Sequence, residues 1–178
     1  MDTDQFWTLV ESARAQVDDP ADPYAVAAQA ADALAAYPRA EIVATQQTLW
    51  DLLAGSYRAP LWAAAHLING GCSDDGFDYF RGWLLAQGRE VFTQVVADPQ
   101  ALADLPAVRT ALADGDELEC EEVLGIVWNA HLAATGEQLP SGTFTIRYPA
   151  LDPDWDFDFE DQTEIARRLP RLAELRPS

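Results

Sequence analysis

The chain has 178 residues, of which 49% are apolar, and 30 acidic residues against 11 arginines give it a formal net charge of −19. This length and apolar content predict a single domain over residues 1–178 with a buried core. The negative charge opposes binding to phosphate backbones and to anionic membranes, so we expect neither a nucleic-acid nor a membrane partner. The charge is compatible with cations, basic proteins and neutral small molecules as binding partners.

The N-terminal residues MDTDQFWTLVESARAQ lack the basic and apolar segments of a secretory signal. No apolar run approaches the ~20 residues that a membrane span needs. Cys72 and Cys120 lie in different segments without metal-type spacing, which predicts reduced, buried thiols. Together these features predict a cytoplasmic location.

Apolar residues at helical spacing predict helices over residues 3–17 and 24–37, and a third helix that begins at Pro38. The run PLWAAAHLI, residues 60–68, is apolar almost all round, as is typical of a central buried helix. The glycines of Asn69-Gly70-Gly71 are suited to the left-handed end of that helix.

Further along the chain, Ser73 is predicted to cap a helix that runs through Gln87 towards Ala97. The fold class predicted from the whole pattern is mostly α, a single-domain helical bundle with at most one or two short strands. The remaining predicted elements are short broken helices over 98–115, a long helix over 117–135, a strand candidate TFTIRY over 143–148 and a short helix over 163–175.

The segment NGGCSDDGFDYFRGWLLAQGRE, residues 69–90, concentrates polar residues and glycines on one predicted helix. On a helical wheel one flank of the apolar stripe carries acidic and basic side chains, and Asp78 and Arg81 are three residues apart and able to pair. A glycine inside a helix costs roughly 1 kcal/mol, so Gly76, Gly82 and Gly88 indicate close backbone approach, a bend or a ligand. The candidate ligand-binding residues are Asp74, Asp75, Asp78, Arg81, Trp83 and Arg89.

A structural interpretation of the same segment stays open, since Ser73 followed by two aspartates is also a favourable helix start. Asp74 and Asp78 are candidate ligands for a divalent cation, although the pattern does not match a Ca²⁺-binding loop. No other cofactor is expected. Nucleophilic catalysis by Cys72 would require a base, and the chain offers only His66 and His131.

Several runs resemble one bacterial family: LWAAAHLINGGCSDDGFDYFRGWLLAQGREVF in the centre, FWTLVESAR at the start, AATGEQLP, and the closing WDFD and LPRL. On these runs the chain resembles the DUF4240 family of unknown function. The resemblance implies a mainly helical, cytoplasmic bacterial domain without an assigned activity. Within it the core signature covers residues 60–97, and an acidic-aromatic tail covers 150–178.

In that tail, DPDWDFDFEDQ alternates acidic and aromatic residues. Trp155 and Phe157 are candidate anchors for a basic protein surface, or they tuck the tail onto the core of the domain. The sequence favours a non-enzymatic binding or protein-interaction module, with a protein or small-molecule partner. The alternative is a hydrolase-like or metal-assisted enzyme that uses the same aspartates.

Overall fold

The computed structural model describes residues 1–176, and the regular elements in this part of the chain are helical. The α-helices are α1 Thr3–Arg14, α2 Pro23–Ala35, α3 Arg39–Ser56, α4 Ala59–Asn69, α5 Asp74–Ala86, α6 Arg89–Ala97, α7 Pro106–Asp114, α8 Ile126–Thr135, α9 Gln162–Arg168 and α10 Pro170–Ala173. Short 3-10 segments lie at Pro99–Asp104, Glu121–Val123 and Pro153–Trp155. The predicted mostly α fold class is confirmed.

Capping residues set several of the helix boundaries. The Asp2 side chain accepts the amide of Gln5 at the start of α1, and Asp22 does the same for the first amides of α2. These contacts satisfy donors that have no partner inside the helix. Gly70 and Gly136 end α4 and α8 in the left-handed conformation, with φ of 69° and 70°.

The helices enclose one apolar core. α2 packs most extensively against α8 and α1, and α3 also packs against α8. The apolar helix predicted at residues 60–68 lies in α4 and is largely buried, and it contacts α7, α10 and the 3-10 segment at 99–104. No helix in residues 1–176 combines the length and the apolar character that crossing a bilayer requires.

The predicted strand at 143–148 is wrong. Its residues carry no regular secondary structure, and the backbone N–H and C=O of Thr145 bond the side-chain amide of Gln47 on α3, at 2.8 and 3.1 Å, instead of another strand. Phe144 stacks on Trp50 of the same helix, with ring centroids 6.3 Å apart. Residues 143–160 form an irregular segment along α3 and α4 that includes the 3-10 segment Pro153–Trp155, and we call it the C-terminal strap.

Three predicted helices are shorter than expected, and the one predicted over 163–175 is divided at Leu169 into α9 and α10. The helix predicted from Ser73 towards Ala97 is interrupted at Gly88, whose φ of 94° is left-handed, so α5 and α6 are separate. The helix predicted over 117–135 begins only at Ile126, because the loop before it bonds neighbouring elements. In that loop the Cys120 amide donates to the Tyr79 carbonyl of α5 at 2.9 Å.

Candidate functional site

The candidate segment begins at the N-terminus of α5. The Ser73 hydroxyl accepts the amide of Gly76 at 3.1 Å, which confirms the predicted cap. Asp74 and Asp75 follow in the first turn and are both exposed. Asp74 lies on the side of Tyr57 and Cys72, where its charge acts on both groups, whereas Asp75 lies on the side of Tyr79. The two adjacent aspartates therefore face different surroundings.

Arg81 is fully buried, and it is the largest side chain in that state. Its Nε donates to the Phe77 carbonyl at 3.3 Å, and its terminal nitrogens donate to the Leu53 carbonyl and to the Asp78 carboxylate. The predicted Asp78–Arg81 pair is therefore confirmed. Because every bond of this guanidinium goes to groups within the domain, it ties α5 to α3.

Aromatic rings enclose the same guanidinium. Its central carbon lies 4.7 Å from the ring centroid of Phe77, 5.1 Å from that of Tyr57 and 5.5 Å from that of Tyr148. Tyr148 belongs to the C-terminal strap, and its hydroxyl donates to the Asp78 carboxylate at 3.0 Å. Burial, followed by this contact with Asp78, raises the pKa of Tyr148. The Asp78–Arg81 pair thus anchors the strap.

Trp83 and Arg89 do not lie beside the candidate aspartates Asp74, Asp75 and Asp78. Trp83 is buried and packs on Phe80, with ring centroids 5.3 Å apart. Arg89 begins α6, where its guanidinium pairs with Asp4 at the start of α1 at 2.8 Å. The six candidate residues consequently divide into exposed acids, a buried pair, a core tryptophan and a separate surface ion pair.

The glycines have structural explanations. A Cβ on Gly82 would lie 2.3 Å from the Cys120 carbonyl oxygen, so only glycine lets the loop before α8 approach α5 this closely. Gly88 turns the chain between α5 and α6, and a Cβ there would lie 2.6 Å from the Glu11 carboxylate. That carboxylate accepts the amide of Arg89 at 2.8 Å. The expected close approach and bend are both confirmed.

The loop held against Gly82 carries a dense group of carboxylates. Two shallow grooves, of about 450 and 360 Å³, lie side by side and share Asp75 and Tyr79. None of their carboxylates other than that of Asp78 lies within 4.0 Å of a basic nitrogen of residues 1–176. We call the acids around Tyr79 the acidic surface: Asp75, Glu117, Glu119, Glu121 and Glu122.

The raised pKa values of two tyrosines, Tyr79 and Tyr24, reflect the negative potential of the acidic surface. The charge of Glu121, followed by burial and by Asp75, raises the pKa of the Tyr79 phenol. On α2, burial first and then nearby charges that include Glu122 and Glu119 raise the pKa of Tyr24. Nearby carboxylates oppose formation of a phenolate and, for the same reason, favour a cation.

An exposed apolar stripe adjoins the acidic surface. Leu124, which is partly buried and precedes α8, lines one of the grooves. Trp128 and Leu132 follow it at intervals of four residues and share one face of α8. Trp128 is 41% exposed and Leu132 is 44% exposed, both large values for apolar side chains. The stripe and the acids together form a surface that is charged at one end and apolar at the other.

The residues considered for nucleophilic catalysis lie in unrelated settings. Cys72 is half-buried rather than buried as predicted, and desolvation raises the pKa of its thiol to about 12, so it is protonated near neutral pH. His66 Nε2 contacts the Glu160 carboxylate of the strap at 3.0 Å, and His131 Nδ1 lies 3.0 Å from the Glu137 carbonyl. Within residues 1–176, neither imidazole hydrogen-bonds the Cys72 thiol.

The two candidate cation ligands, Asp74 and Asp78, have different surroundings and do not form one site. Asp74 is exposed, whereas the Asp78 carboxylate already bonds Arg81 and the Tyr148 hydroxyl. Among residues 1–176, no three histidine, cysteine, aspartate or glutamate side chains are grouped closely enough to hold a metal ion.

Trp155 and Phe157, the interaction candidates of the strap, are partly buried. They pack against the core, and the Arg168 guanidinium of α9 lies 4.9 Å from the centroid of each ring. Both rings also line a groove of about 430 Å³ next to α4. The strap is therefore tucked onto the domain while its rings border an open space.

Sequence reasoning missed the glutamates of the acidic surface and the exposed Trp128. The signal was available in DELECEE, residues 116–122, but a long predicted helix there would have spread these side chains around its axis. The family model described as a protein of unknown function (DUF4240) matches residues 1–132 of the chain. The match includes α5 and the acidic surface, and the strap follows it. No curated protein and no solved structure matches the chain.

Proposed function

The chain belongs to the DUF4240 family of proteins of unknown function, and we propose its function from the geometry of the acidic surface and the apolar stripe. The chain is a cytoplasmic bacterial binding module, without catalytic activity of its own, that docks on a protein segment with basic and apolar residues. The docking site is the acidic surface together with the Leu124–Trp128–Leu132 stripe.

The observation that carries this proposal is the group of five carboxylates around two shallow grooves, none of which has a basic partner within 4.0 Å among residues 1–176. A lysine or arginine of a partner gains charge-assisted hydrogen bonds there without displacing an internal ion pair. The net charge of −19 acts in the same direction, since it attracts a basic partner from a distance and raises the association rate.

The apolar stripe supplies the contact area that charges alone lack. Exposed charge pairs are each worth about 0–1 kcal/mol, whereas a buried tryptophan is a frequent hot spot at interfaces. An amphipathic partner segment places leucine-like side chains on Trp128 and Leu132 and basic side chains on the glutamates. Affinity then comes from the stripe, and orientation comes from the acids.

The signature segment is the scaffold of this surface. Because Gly82 has no side chain, the loop before α8 packs directly on α5, and the Cys120 amide donates to the Tyr79 carbonyl. These contacts hold the glutamates of the loop against α5. The Asp78–Arg81 pair fixes α5 to α3 and to the strap. In this proposal Asp75 contacts the partner directly, and Arg81 and Trp83 act through the position of α5.

The test is titration of the full chain with a helical peptide that carries lysine on one face and leucine on the other. We expect binding that weakens with added salt, as exposed charges are screened, and no binding of the same peptide with glutamate in place of lysine. The triple variant Glu119→Gln, Glu121→Gln, Glu122→Gln should weaken binding about tenfold, which is 1.4 kcal/mol.

A control triple variant, Asp18→Asn, Glu41→Gln, Asp154→Asn, changes the net charge equally at other exposed positions. It should bind the peptide as the unmodified chain does. Equal weakening by both triple variants would show that only the net charge attracts the peptide, and unchanged binding by Trp128→Ala would remove the apolar stripe from the proposal.

A further inference from the structure

A second concave region lies between α4 and the C-terminal strap. Its inner part, of about 430 Å³, is walled by four aromatic side chains, which we call the aromatic groove: Trp62, Trp155, Phe157 and Phe159. Along the strap the rings follow one another, with centroids 6.1 Å apart for Trp155 and Phe157 and 5.2 Å apart for Phe157 and Phe159.

Trp62 provides a fixed wall of the groove. Its ring stacks on Phe77 of α5 with centroids 4.8 Å apart, and its indole N–H donates to the Cys72 carbonyl at 3.0 Å. The indole N–H is therefore already satisfied. What this side chain offers to the groove is its aromatic surface.

The charges that line the aromatic groove are negative. Asp152 and Asp156 are exposed at its edge, and no arginine or histidine belongs to its lining. Arg168, which lies outside the lining, shows that Trp155 and Phe157 accept a cation, since its guanidinium sits 4.9 Å from both centroids. Rings with negative faces and two carboxylates favour an organic cation.

The aromatic groove continues into a larger groove of about 730 Å³ and shares Ala59, Leu151 and Asp152 with it. Besides the shared Asp152, Arg58 and Arg147 line this space, so it carries positive charges that the lining of the aromatic groove lacks. Neither guanidinium lies within 4.0 Å of a carboxylate of residues 1–176, although the chain is rich in acids. We call this the arginine groove.

We infer that the two grooves together bind a small zwitterion, with its quaternary ammonium in the aromatic groove and its carboxylate at Arg58 and Arg147. A quaternary ammonium has no N–H to satisfy and gains from ring faces and nearby carboxylates. A carboxylate matches the fork of donors on a guanidinium. This inference goes beyond the proposed function and rests on different residues.

The probe for the test is 4-trimethylammoniobutanoate, titrated into the full chain by calorimetry. Two half-probes separate the grooves: 5,5-dimethylhexanoate replaces the ammonium nitrogen with carbon, and tetramethylammonium lacks the carboxylate. We expect each half-probe to bind about tenfold more weakly or worse, the loss that corresponds to 1.4 kcal/mol. Failure of the zwitterion to bind, or equal binding of the carbon isostere, would overturn the inference.

Variants assign each end of the ligand. Asp152→Asn with Asp156→Asn should weaken binding of the zwitterion and of tetramethylammonium, whereas Asp154→Asn with Asp158→Asn should change neither. The control pair alters the same strap by the same charge and lies outside the lining. Asparagine keeps the side-chain oxygen that accepts a backbone amide at 152 and at 158, so the strap geometry is retained.

For the other end, Arg58→Gln with Arg147→Gln should reduce zwitterion affinity to the level of tetramethylammonium and leave tetramethylammonium binding unchanged. Unaltered zwitterion affinity in this variant would remove the carboxylate contact and with it the inference. The peptide titration of the acidic surface is independent of these results, so failure of one proposal is distinguishable from failure of the other.

Discussion

Asp78→Ala removes the only carboxylate that contacts the fully buried Arg81 guanidinium within residues 1–176. The positive charge then stays in the core with two backbone carbonyls and three aromatic rings around it. The substitution also removes the acceptor of the Tyr148 hydroxyl and so releases one anchor of the strap.

The size of the effect follows from the burial of the two partners. Stranding one member of a buried ion pair costs about 3–5 kcal/mol, because the remaining charge is desolvated without compensation. Arg81 is fully buried, but the Asp78 side chain is 21% exposed, so water reaches the vacated position and partly solvates the cation. We therefore expect a loss of about 3 kcal/mol, a large part of a typical total stability of ~5–15 kcal/mol.

The assay is urea unfolding followed by tryptophan fluorescence and by circular dichroism. Asp75→Ala is the matched control, since it removes an exposed, unpaired aspartate of the same helix and should cost less than about 1 kcal/mol. Adding Arg81→Met to Asp78→Ala should recover part of the loss, because replacement of both partners removes the stranded charge.

Two results would refute this reasoning. An Asp78→Ala variant within about 0.5 kcal/mol of the unmodified chain would mean that the buried guanidinium does not need its counter-charge. A double variant less stable than Asp78→Ala would mean that the bonds of Arg81 to the carbonyls of Leu53 and Phe77 outweigh the cost of its charge.

Gly82→Ala should destabilise the domain by about 1–3 kcal/mol despite the better helix propensity of alanine, because its Cβ would meet the Cys120 carbonyl at 2.3 Å. Gly55→Ala in α3, with nothing within 4 Å, should instead stabilise by up to about 1 kcal/mol, and urea unfolding compares the two. Bonds from two neighbouring arginines lower the pKa of Glu164 from 4.5 to about 2, so its contribution to stability is present above the unfolded value and is lost as pH falls towards 2. Thermal melting should show a smaller acid loss in Glu164→Gln over that window, and parallel profiles would contradict the shift. With its pKa raised to about 12, Cys72 should react with iodoacetamide at pH 8 at least about a hundredfold more slowly than glutathione, and a rate within tenfold would contradict the raised pKa.

The sequence by itself determined the local features whose causes lie within a few residues. Apolar spacing located most helices, Ser73 and Gly70 marked the boundary between α4 and α5, and Asp78 and Arg81 were identified as a pair three residues apart. The glycines indicated close approach because their cost inside a helix is a local property. The element that each glycine approaches was not available from the same information.

The tertiary structure decided everything that depends on contacts between distant residues. The run at 143–148 looks like a strand from its own residues, but its backbone bonds Gln47, almost a hundred positions earlier in the chain. Likewise, the loop before α8 gives up helical bonds for one to Tyr79, and this packing gathers the glutamates into one surface. Helical spacing records which side chains share a face, but only long-range packing determines whether that face is buried, as at Arg81, or remains open to a partner.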